Sequence, residues 1–413
     1  MAYSIHMRGT TKYPRPSVLT INGGSSSIRF ALFEAGAGAS LLLKGKVDRI
    51  GLKGTTLTAT MPGRPRASAL RFAAPDHRTA AAKMLEWIQD QQVASSIAAV
   101  GHRIVHGMRR KAPQPVTPRL LGELRGAIAF APDHLPIEIE LIEACRRLLP
   151  AIPQVACFDT AFHRGMPAVA KLLPIPRRFT AGGVERYGFH GLSYEFLMGE
   201  LVRLRDPAAA RGRVILAHLG NGASLAAVRN GKSIDTSMGF TPAAGLVMST
   251  RTGDMDPGVL AFLARKRRLT EPQLEKMVNQ ESGLLGISGY SPDMRDLLRR
   301  EARHAPSAEA VDVFCYQARK WIGSFAAALG GLDTLVFSGG IGENAWQVRE
   351  RICAELGFLG VTVDRRKNVR SAPVISRAGS RVRVRVIKTD EEIVIARATM
   401  RSLHLRPGKQ HSL

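Results

Sequence analysis

Two arginines sit where a lone cation is hard to accommodate. Arg103 follows a short apolar run in G-H-R-I-V-H-G (101–107), and Arg251 lies in S-T-R-T-G-D-M-D-P-G (249–258). A guanidinium near a buried strand needs an anionic partner, because burying it unpaired is costly. Two together make a clamp for a carboxylate or a phosphate. Three further segments put His, Asp, Asn and Gly at the ends of apolar runs. They are C-F-D-T-A-F-H (157–163) with Asp159, Y-G-F-H-G (187–191) with His190, and H-L-G-N-G-A-S (218–224) with His218, Gly220, Asn221 and Gly222. Ligand sites of α/β proteins gather at strand carboxyl ends, so these segments can converge. Each also has a plain structural reading. A histidine after a strand is commonly a hydrogen-bonded packing residue, and an aspartate there caps a loop.

Two stretches carry glycine turns suited to anions. V-L-T-I-N-G-G-S-S-S-I-R-F-A-L-F (18–33) breaks an apolar run at Asn22, two glycines and three serines, then resumes. V-I-L-A-H-L-G-N-G-A-S-L-A-A-V-R-N-G-K (214–232) repeats that logic half a chain later. Both read as hairpins whose N–H groups and hydroxyls can face an anion. Their recurrence suggests a duplicated phosphate-gripping domain with a nucleotide between the halves. S-G-G-I-G-E-N (338–344) follows a short strand and reads as a turn feeding a helix. It fits neither G-x-x-x-x-G-K-[ST] nor G-x-G-x-x-G.

The elements that must hold these residues alternate. Strands are predicted at 18–20, 28–33, 41–49, 98–102, 155–158 and 334–337, with a hairpin over 214–234. Helices are predicted at 78–89, 118–130, 137–148, 193–203, 257–267, 271–282, 307–329 and 345–356, with a last one at 389–403 opened by T-D-E-E. That order predicts α/β architecture. The 413 residues suit two domains rather than one core. No apolar run reaches the roughly 20 residues of a membrane helix, so no membrane partner is expected. Residues 1–16 lack the apolar core of a signal peptide and read as a disordered tail on a cytoplasmic protein. The four cysteines form no C-x-x-C pair, which argues against zinc or a disulfide framework. A net charge of +25 invites nucleic acid, but the basic residues are spread along the chain. The densest run, S-R-V-R-V-R-V-I (380–387), reads as a strand with one solvated face.

At this point the chain resembles the acetate and propionate kinase family, of the actin-like, sugar-kinase superfamily. The segments 18–30 and 218–242 resemble that family's two signatures. G-H-R-I-V-H-G, F-D-T-A-F-H, R-Y-G-F-H-G, D-M-R-D-L and G-G-I-G-E-N match in order, over nearly all of residues 17–403. The resemblance implies two actin-like (ribonuclease H-like) domains with a nucleotide cleft between them. Residues 17–160 plus 393–405 would form the first, and 161–392 the second. It implies ATP as co-substrate and Mg²⁺ held by Asn22 and Glu391. Ser25, Ser27, Arg29, His218, Gly220, Asn221 and Gly222 would line the phosphates. Asp293, Met294, Arg295, Gly340, Ile341, Gly342, Glu343 and Asn344 would form the adenosine pocket. Arg103 and Arg251 would bind the acyl substrate and the transferring phosphoryl group, His190 would stabilise the transition state, and Asp159 would be the essential acid. Val105, Phe189 and Pro242 would line the acyl pocket, with Asp133 beside them. A homodimer is expected, acting on acetate or another short-chain carboxylate.

The chain departs from the family at several places. Asp133 stands where an apolar residue is usual, Gly23 where Cys is common, Arg29 where Lys is usual, and Leu192 and Tyr194 where Thr and His are usual. The phosphate machinery is intact, whereas Asp133 either turns away or marks a different acyl substrate. Two other readings keep a place: the same fold with another short-chain acid or a pyrophosphate donor, and a nucleotide-binding regulator with a nucleic-acid-binding basic surface. Retention of both arginines, His190, Asp159 and Glu391 favours the enzyme.

Overall fold

A computed structural model describes residues 15–36, 38–63, 68–91 and 94–405. Most of the tail expected at 1–16 lies outside the described residues. Among the described residues thirteen strands form two sheets. The first sheet contains β1 (Ser17–Gly24), β2 (Ser27–Glu34), β3 (Leu41–Asp48), β4 (Thr55–Thr60), β5 (Ser68–Phe72), β6 (Ile97–Ile104), β7 (Gln114–Pro115) and β8 (Gln154–Phe158), in the order β5-β4-β3-β2-β1-β6-β8-β7. The second contains β9 (Arg213–Leu219), β10 (Ala223–Arg229), β11 (Lys232–Thr236), β12 (Thr334–Ser338) and β13 (Arg383–Val386), in the order β11-β10-β9-β12-β13.

The five central strands of the first sheet repeat the second. β1 pairs antiparallel with β2 and parallel with β6, and β6 pairs parallel with β8. β9 pairs antiparallel with β10 and parallel with β12, and β12 pairs parallel with β13. The two glycine hairpins seen in the sequence, β1–β2 and β9–β10, are therefore topological equivalents. Each ends beside the carboxyl end of a parallel neighbour, where ligand crevices form in such sheets.

Helices complete each layer and also link the two. His77–Gln89 and Leu135–Leu148 bury Met84, Leu85, Ile88 and Leu141 against Leu19, Ile21 and Phe30 of the first sheet. Helix Ala305–Leu329 buries Val311, Phe314, Ile322 and Phe325 on the second sheet. Helix Gly191–Arg203 follows the first sheet in sequence but packs Tyr194, Leu197 and Leu201 on Val214 and Leu216 of the second. The last helix, Glu391–Ser402, does the reverse. It places Ala396 and Met400 on Val18 and Ala99 of the first sheet. A Cβ at Gly101 would fall 2.3 Å from Thr399 Oγ1 and 2.6 Å from Ile395 Cγ2, so only glycine lets β6 meet this helix. Asp390 caps the helix by accepting the Ile393 N–H at 3.0 Å.

Several elements differ from expectation. S-G-G-I-G-E-N is a short helix, Gly339–Asn344, because Glu343 Oε1 accepts the Gly339 N–H at 3.0 Å and closes its first turn. The predicted helix 271–282 passes into a π-helical turn at Met277–Glu281. The predicted helix 118–130 ends at Gly126, before a 3₁₀ turn at Ile128–Phe130. The Arg-Val strand is not solvated along one face: Arg383 is exposed but Arg385 is buried, held by Asp206 at 2.7 Å. Strands β5 and β7 carry little apolar periodicity, and β4, which buries alternate residues Thr55, Leu57 and Ala59, is not among the predicted strands. No helix among the described residues is long and apolar enough to cross a membrane.

Candidate active site

Arg103 lies at the end of β6 and Asp159 just after β8, in adjacent parallel strands. Arg103 Nε donates to both Asp159 oxygens at 3.2 and 3.1 Å, and Nη2 donates to Oδ2 at 2.6 Å. Its Nη1 donates to Asn22 Oδ1 at 3.1 Å, and Glu391 Oε2 lies 3.8 Å from Nε. Burial alone would lower Arg103, but the Asp159 and Glu391 carboxylates outweigh it and hold the guanidinium firmly charged. Burial pushes the Asp159 carboxyl up against the pull of Arg103. The fork to a guanidinium that cannot give up its proton keeps the pair ionic.

Asp159 also organises His190. Its carboxylate takes a hydrogen bond from the His190 backbone. His190 sits in the left-handed region at φ 59°, immediately before helix Gly191–Arg203. A Cβ at Gly191 would come within 1.9 Å of the Asp159 carbonyl oxygen. Close approach by glycine therefore allows Asp159 to hold Arg103 with its side chain and His190 through the main chain. Strained backbone of this kind persists only where its surroundings fix it.

The His190 and His218 rings stack with centroids 4.4 Å apart. His190 Nδ1 meets Ser224 Oγ at 2.8 Å, and His218 Nδ1 meets Ser193 Oγ at 2.8 Å. Both Nε2 atoms face the β9–β10 turn. A Cβ on Gly222 would lie 3.3 Å from His190 Nε2 and 3.5 Å from Arg251 Nη1, and one on Gly220 would lie 3.8 Å from His218 Nε2 and from Gly340 N. The β9–β10 turn, Gly340, both histidines and Arg251 thus border one space. Burial, joined by the charges of Arg103 and Arg251, holds His190 well below 6.5; burial, with Arg103 also contributing, lowers His218 to about 4. Both rings are neutral at pH 7.

Arg251 is the unneutralised cation of this space. Its Nη1 donates to the Pro242 carbonyl at 3.0 Å, and among the described residues it makes no ion pair. Burial lowers its pKa, the Asp133 carboxylate partly offsets this, and Arg103 adds to it. Two arginines that feel each other, with neutral imidazoles between, form a place for an anion.

The acidic side holds a different chemistry. Asn22 Nδ2 donates to Glu391 Oε2 at 3.0 Å, joining the β1–β2 hairpin to the last helix. One amide and one carboxylate offer hard oxygens and suit a cation that keeps waters and phosphate oxygens as its other ligands. Among the described residues no group of three or more His, Cys, Asp or Glu could hold a metal by itself. Arg29 pairs with Asn22 in register, and its charge is felt by His218 and Glu392. Ser25 is exposed and Ser27 partly so, at the turn beside it.

The comparisons with known proteins decide the family. The Acetokinase family profile matches residues 17–397. An acetate kinase from Rhodopseudomonas palustris is 43% identical over 390 residues, covering 93% of this chain and 98% of the relative. The chain belongs to the Acetokinase family. A propionate kinase from Citrobacter rodentium is 41% identical over 390 residues, with 93% and 96% covered. The crystal structure of Porphyromonas gingivalis acetate kinase superposes with a TM-score of 0.84 at 38% identity, covering 94% of this chain and all of that one.

Other residues anticipated for this family site have varied settings. Glu343 is occupied in capping: besides Gly339 it accepts the Thr389 N–H at 3.2 Å. Asn344 Nδ2 donates to the Gly340 carbonyl at 2.9 Å, Ile341 packs partly against the second core, and Gly342 is buried. Asp293 caps helix Met294–Arg300 by accepting the Arg295 N–H at 2.8 Å, while the Met294 side chain belongs to the core. Asn221 accepts the Ser249 N–H through its carbonyl at 3.1 Å, tying the glycine turn to the Arg251 loop. Val105 and Phe189 are buried and Pro242 is partly buried.

Sequence reasoning missed the supporting residues. Ser193 and Ser224 lie inside or beside quoted motifs, but their partners are distant in sequence. His134 is lowered to about 3, by burial and then by Arg251 and Arg103, so a third neutral imidazole lies within the field of the two arginines. Arg349, fully buried, donates to the Gly342 carbonyl at 2.8 Å and to Asn368 Oδ1 at 2.8 Å, fixing the end of helix Gly339–Asn344.

Glu138 is the most unusual of these residues. It is buried in the first turn of Leu135–Leu148 and accepts the Val105 N–H with both oxygens, at 3.0 and 3.1 Å. Burial pushes its carboxyl up to about 8, against the pull of Arg103 and of Val105. Between the ordinary value of 4.5 and about 8 the folded chain holds a proton that the unfolded chain releases. Stability should therefore fall as pH rises through that window and level off above it. Glu138→Gln is expected to flatten this fall. Thermal melts of both proteins from pH 5 to 9 decide, and a Tm difference independent of pH would show that Glu138 is ionised throughout.

Proposed function

We propose that the protein is an ATP-dependent acetate kinase, forming acetyl phosphate reversibly by direct in-line transfer of the γ-phosphoryl group. The observation that carries this reading is the convergence of Arg251 and neutral His190 on the β9–β10 glycine turn, with the charge of Arg103 also reaching His190. Acetate is ionised at pH 7 and needs no base. The protein's task is to align two anions and to offset charge on the transferring group. Arg251, free of any carboxylate ion pair, is available to that group. Arg103, oriented by Asp159, covers its other side. Asp159 is engaged in that ion pair, which suits an orienting residue rather than a base. Asn22 and Glu391 would hold Mg²⁺, which when bound neutralises phosphate charge.

The alternatives are not favoured by family membership. Activity on ATP suits a cytoplasmic location. A homodimer is supported by helix Pro257–Arg267, which buries none of its residues and exposes Val259 and Phe262. A hydroxamate assay for acyl phosphate, run with ATP or pyrophosphate and acids of two to five carbons, tests the reading. Product with ATP and acetate is expected; none with any acid would overturn it.

Asp133 turns to solvent. It is exposed, on the loop before helix Leu135–Leu148, where water screens its charge at Arg251. Asp133→Leu is therefore expected to leave KM for acetate and propionate within about twofold of wild type. A KM about tenfold lower would show that the carboxylate faces the acyl pocket.

A further inference from the structure

Tyr194 has a single polar contact. It is fully buried on helix Gly191–Arg203, its ring set edge-on to His163 at 5.6 Å and tilted to Phe162 at 5.8 Å. Among the described residues its hydroxyl meets only Ser224 Oγ. Ser224 is also fully buried, and its other partner is His190 Nδ1 at 2.8 Å. Three polar groups thus share two hydrogen bonds, and a ring protonated on Nδ1 brings a third donor to them.

In one order the tyrosine donates to Ser224 and Ser224 donates to His190 Nδ1. The neutral ring then carries its proton on Nε2, which faces the space beside Gly222 and Arg251. With the proton on Nδ1 instead, His190 donates to Ser224, and either the Ser224 or the Tyr194 hydroxyl proton is left without an acceptor. A buried hydroxyl proton without an acceptor is costly, enough to bias the tautomers by about tenfold or more. A phenol cannot escape by ionising here, since burial raises its pKa further.

We infer that Ser224, with Tyr194 donating to its oxygen, is a positioning residue that donates to Nδ1 and so fixes the His190 proton on Nε2, presenting a neutral N–H donor to the group transferred at the Arg103–Arg251 clamp. The inference rests on the kinase reading for what the donor serves, but not for where the proton resides. An electrically neutral donor suits a site that already holds two guanidinium groups. It adds a hydrogen bond to developing negative charge without adding cationic repulsion. The stacked partner ring repeats the device, with His218 Nδ1 on Ser193, whose hydroxyl also meets Thr389 Oγ1 at 2.8 Å.

Ser224→Ala removes the hydroxyl that donates to Nδ1. The test pairs steady-state kinetics with ¹⁵N spectra of ring-labelled histidine in the full-length protein without substrate. His190 resonances are assigned by difference from His190→Gln. In the wild type, the expected pattern is a protonated Nε2 and an unprotonated Nδ1. In Ser224→Ala the Nδ1-protonated tautomer should rise about tenfold, and kcat should fall by about tenfold while both KM values stay near wild type. In Tyr194→Phe, Ser224 still donates to Nδ1, so the wild-type tautomer should persist; a shift there would overturn Ser224 as the residue that sets it. A wild-type ring protonated on Nδ1, or spectra unchanged by Ser224→Ala, overturns the ordering whatever the activity. Altered spectra with unchanged kcat overturn the donor role while leaving the ordering in place.

Discussion

Asp159→Asn is expected to lower kcat/KM by about 10³-fold and to destabilise the fold at the same time. The asparagine keeps the volume but replaces one oxygen of a two-oxygen grip with an amide that cannot accept from a guanidinium. Arg103 donates to Asp159 through Nε and Nη2, so at least one of those N–H groups then faces another donor. Removing one partner of a buried pair leaves the other charge uncompensated, a cost of about 3–5 kcal/mol. The carboxylate also holds the His190 main chain in its left-handed conformation, so the variant loosens a second transferring-group contact. A double-mutant cycle with Arg103→Ala tests whether the pair acts as a unit. The double variant should be little worse than the poorer single one, because groups that act together are strongly non-additive. Losses that multiply would show that Asp159 acts apart from Arg103.

Much of this arrangement was legible in the residues, and the illegible part has a physical reason. The two glycine hairpins are local, and their signals, an apolar run broken by small residues and resumed, survive in one dimension. They led to the duplicated topology, which the matching strand orders of the two sheets bear out. The arginines were legible because a cation beside a buried run demands a partner. Which partner was not: Arg103 and Asp159 are 56 residues apart, and only the parallel register of β6 and β8 brings them level. The same holds for Ser224, 34 residues from His190. Glu343 shows a role its motif did not signal: its carboxylate caps its own helix and holds Thr389. Arg385 was misread because alternation reports which residues share a face, not whether a buried acid such as Asp206 waits on it. Glu138 gave no signal at all, since a glutamate in the first turn of a helix is ordinarily a solvated residue that suits the helix dipole.

Arg251→Ala is expected to lower kcat by at least about 10²-fold, close to 2.7 kcal/mol of transition-state stabilisation. Arg103 is surrounded by Asp159, Asn22 and Glu391, so much of its charge is already committed. Arg251 has a main-chain carbonyl and the Met248 sulfur at 3.5 Å for company, and its nearest charged influences are the exposed Asp133 and Arg103 itself. Its field is therefore the least compensated in the site, and removing it deletes most of the free positive charge facing the transferring group. The loss should appear mainly in kcat, because negative charge on the bridging oxygens is greatest during transfer rather than in bound acetate. Arg251→Lys restores the charge but not the fork. One ammonium cannot hold the Pro242 carbonyl and meet an anion in the geometry of a planar guanidinium, so recovery should be partial. Kinetics of both variants with ATP and acetate decide the matter. Near-normal turnover in Arg251→Ala would mean that the free cation serves only to bind, and that Arg103 carries the transfer alone.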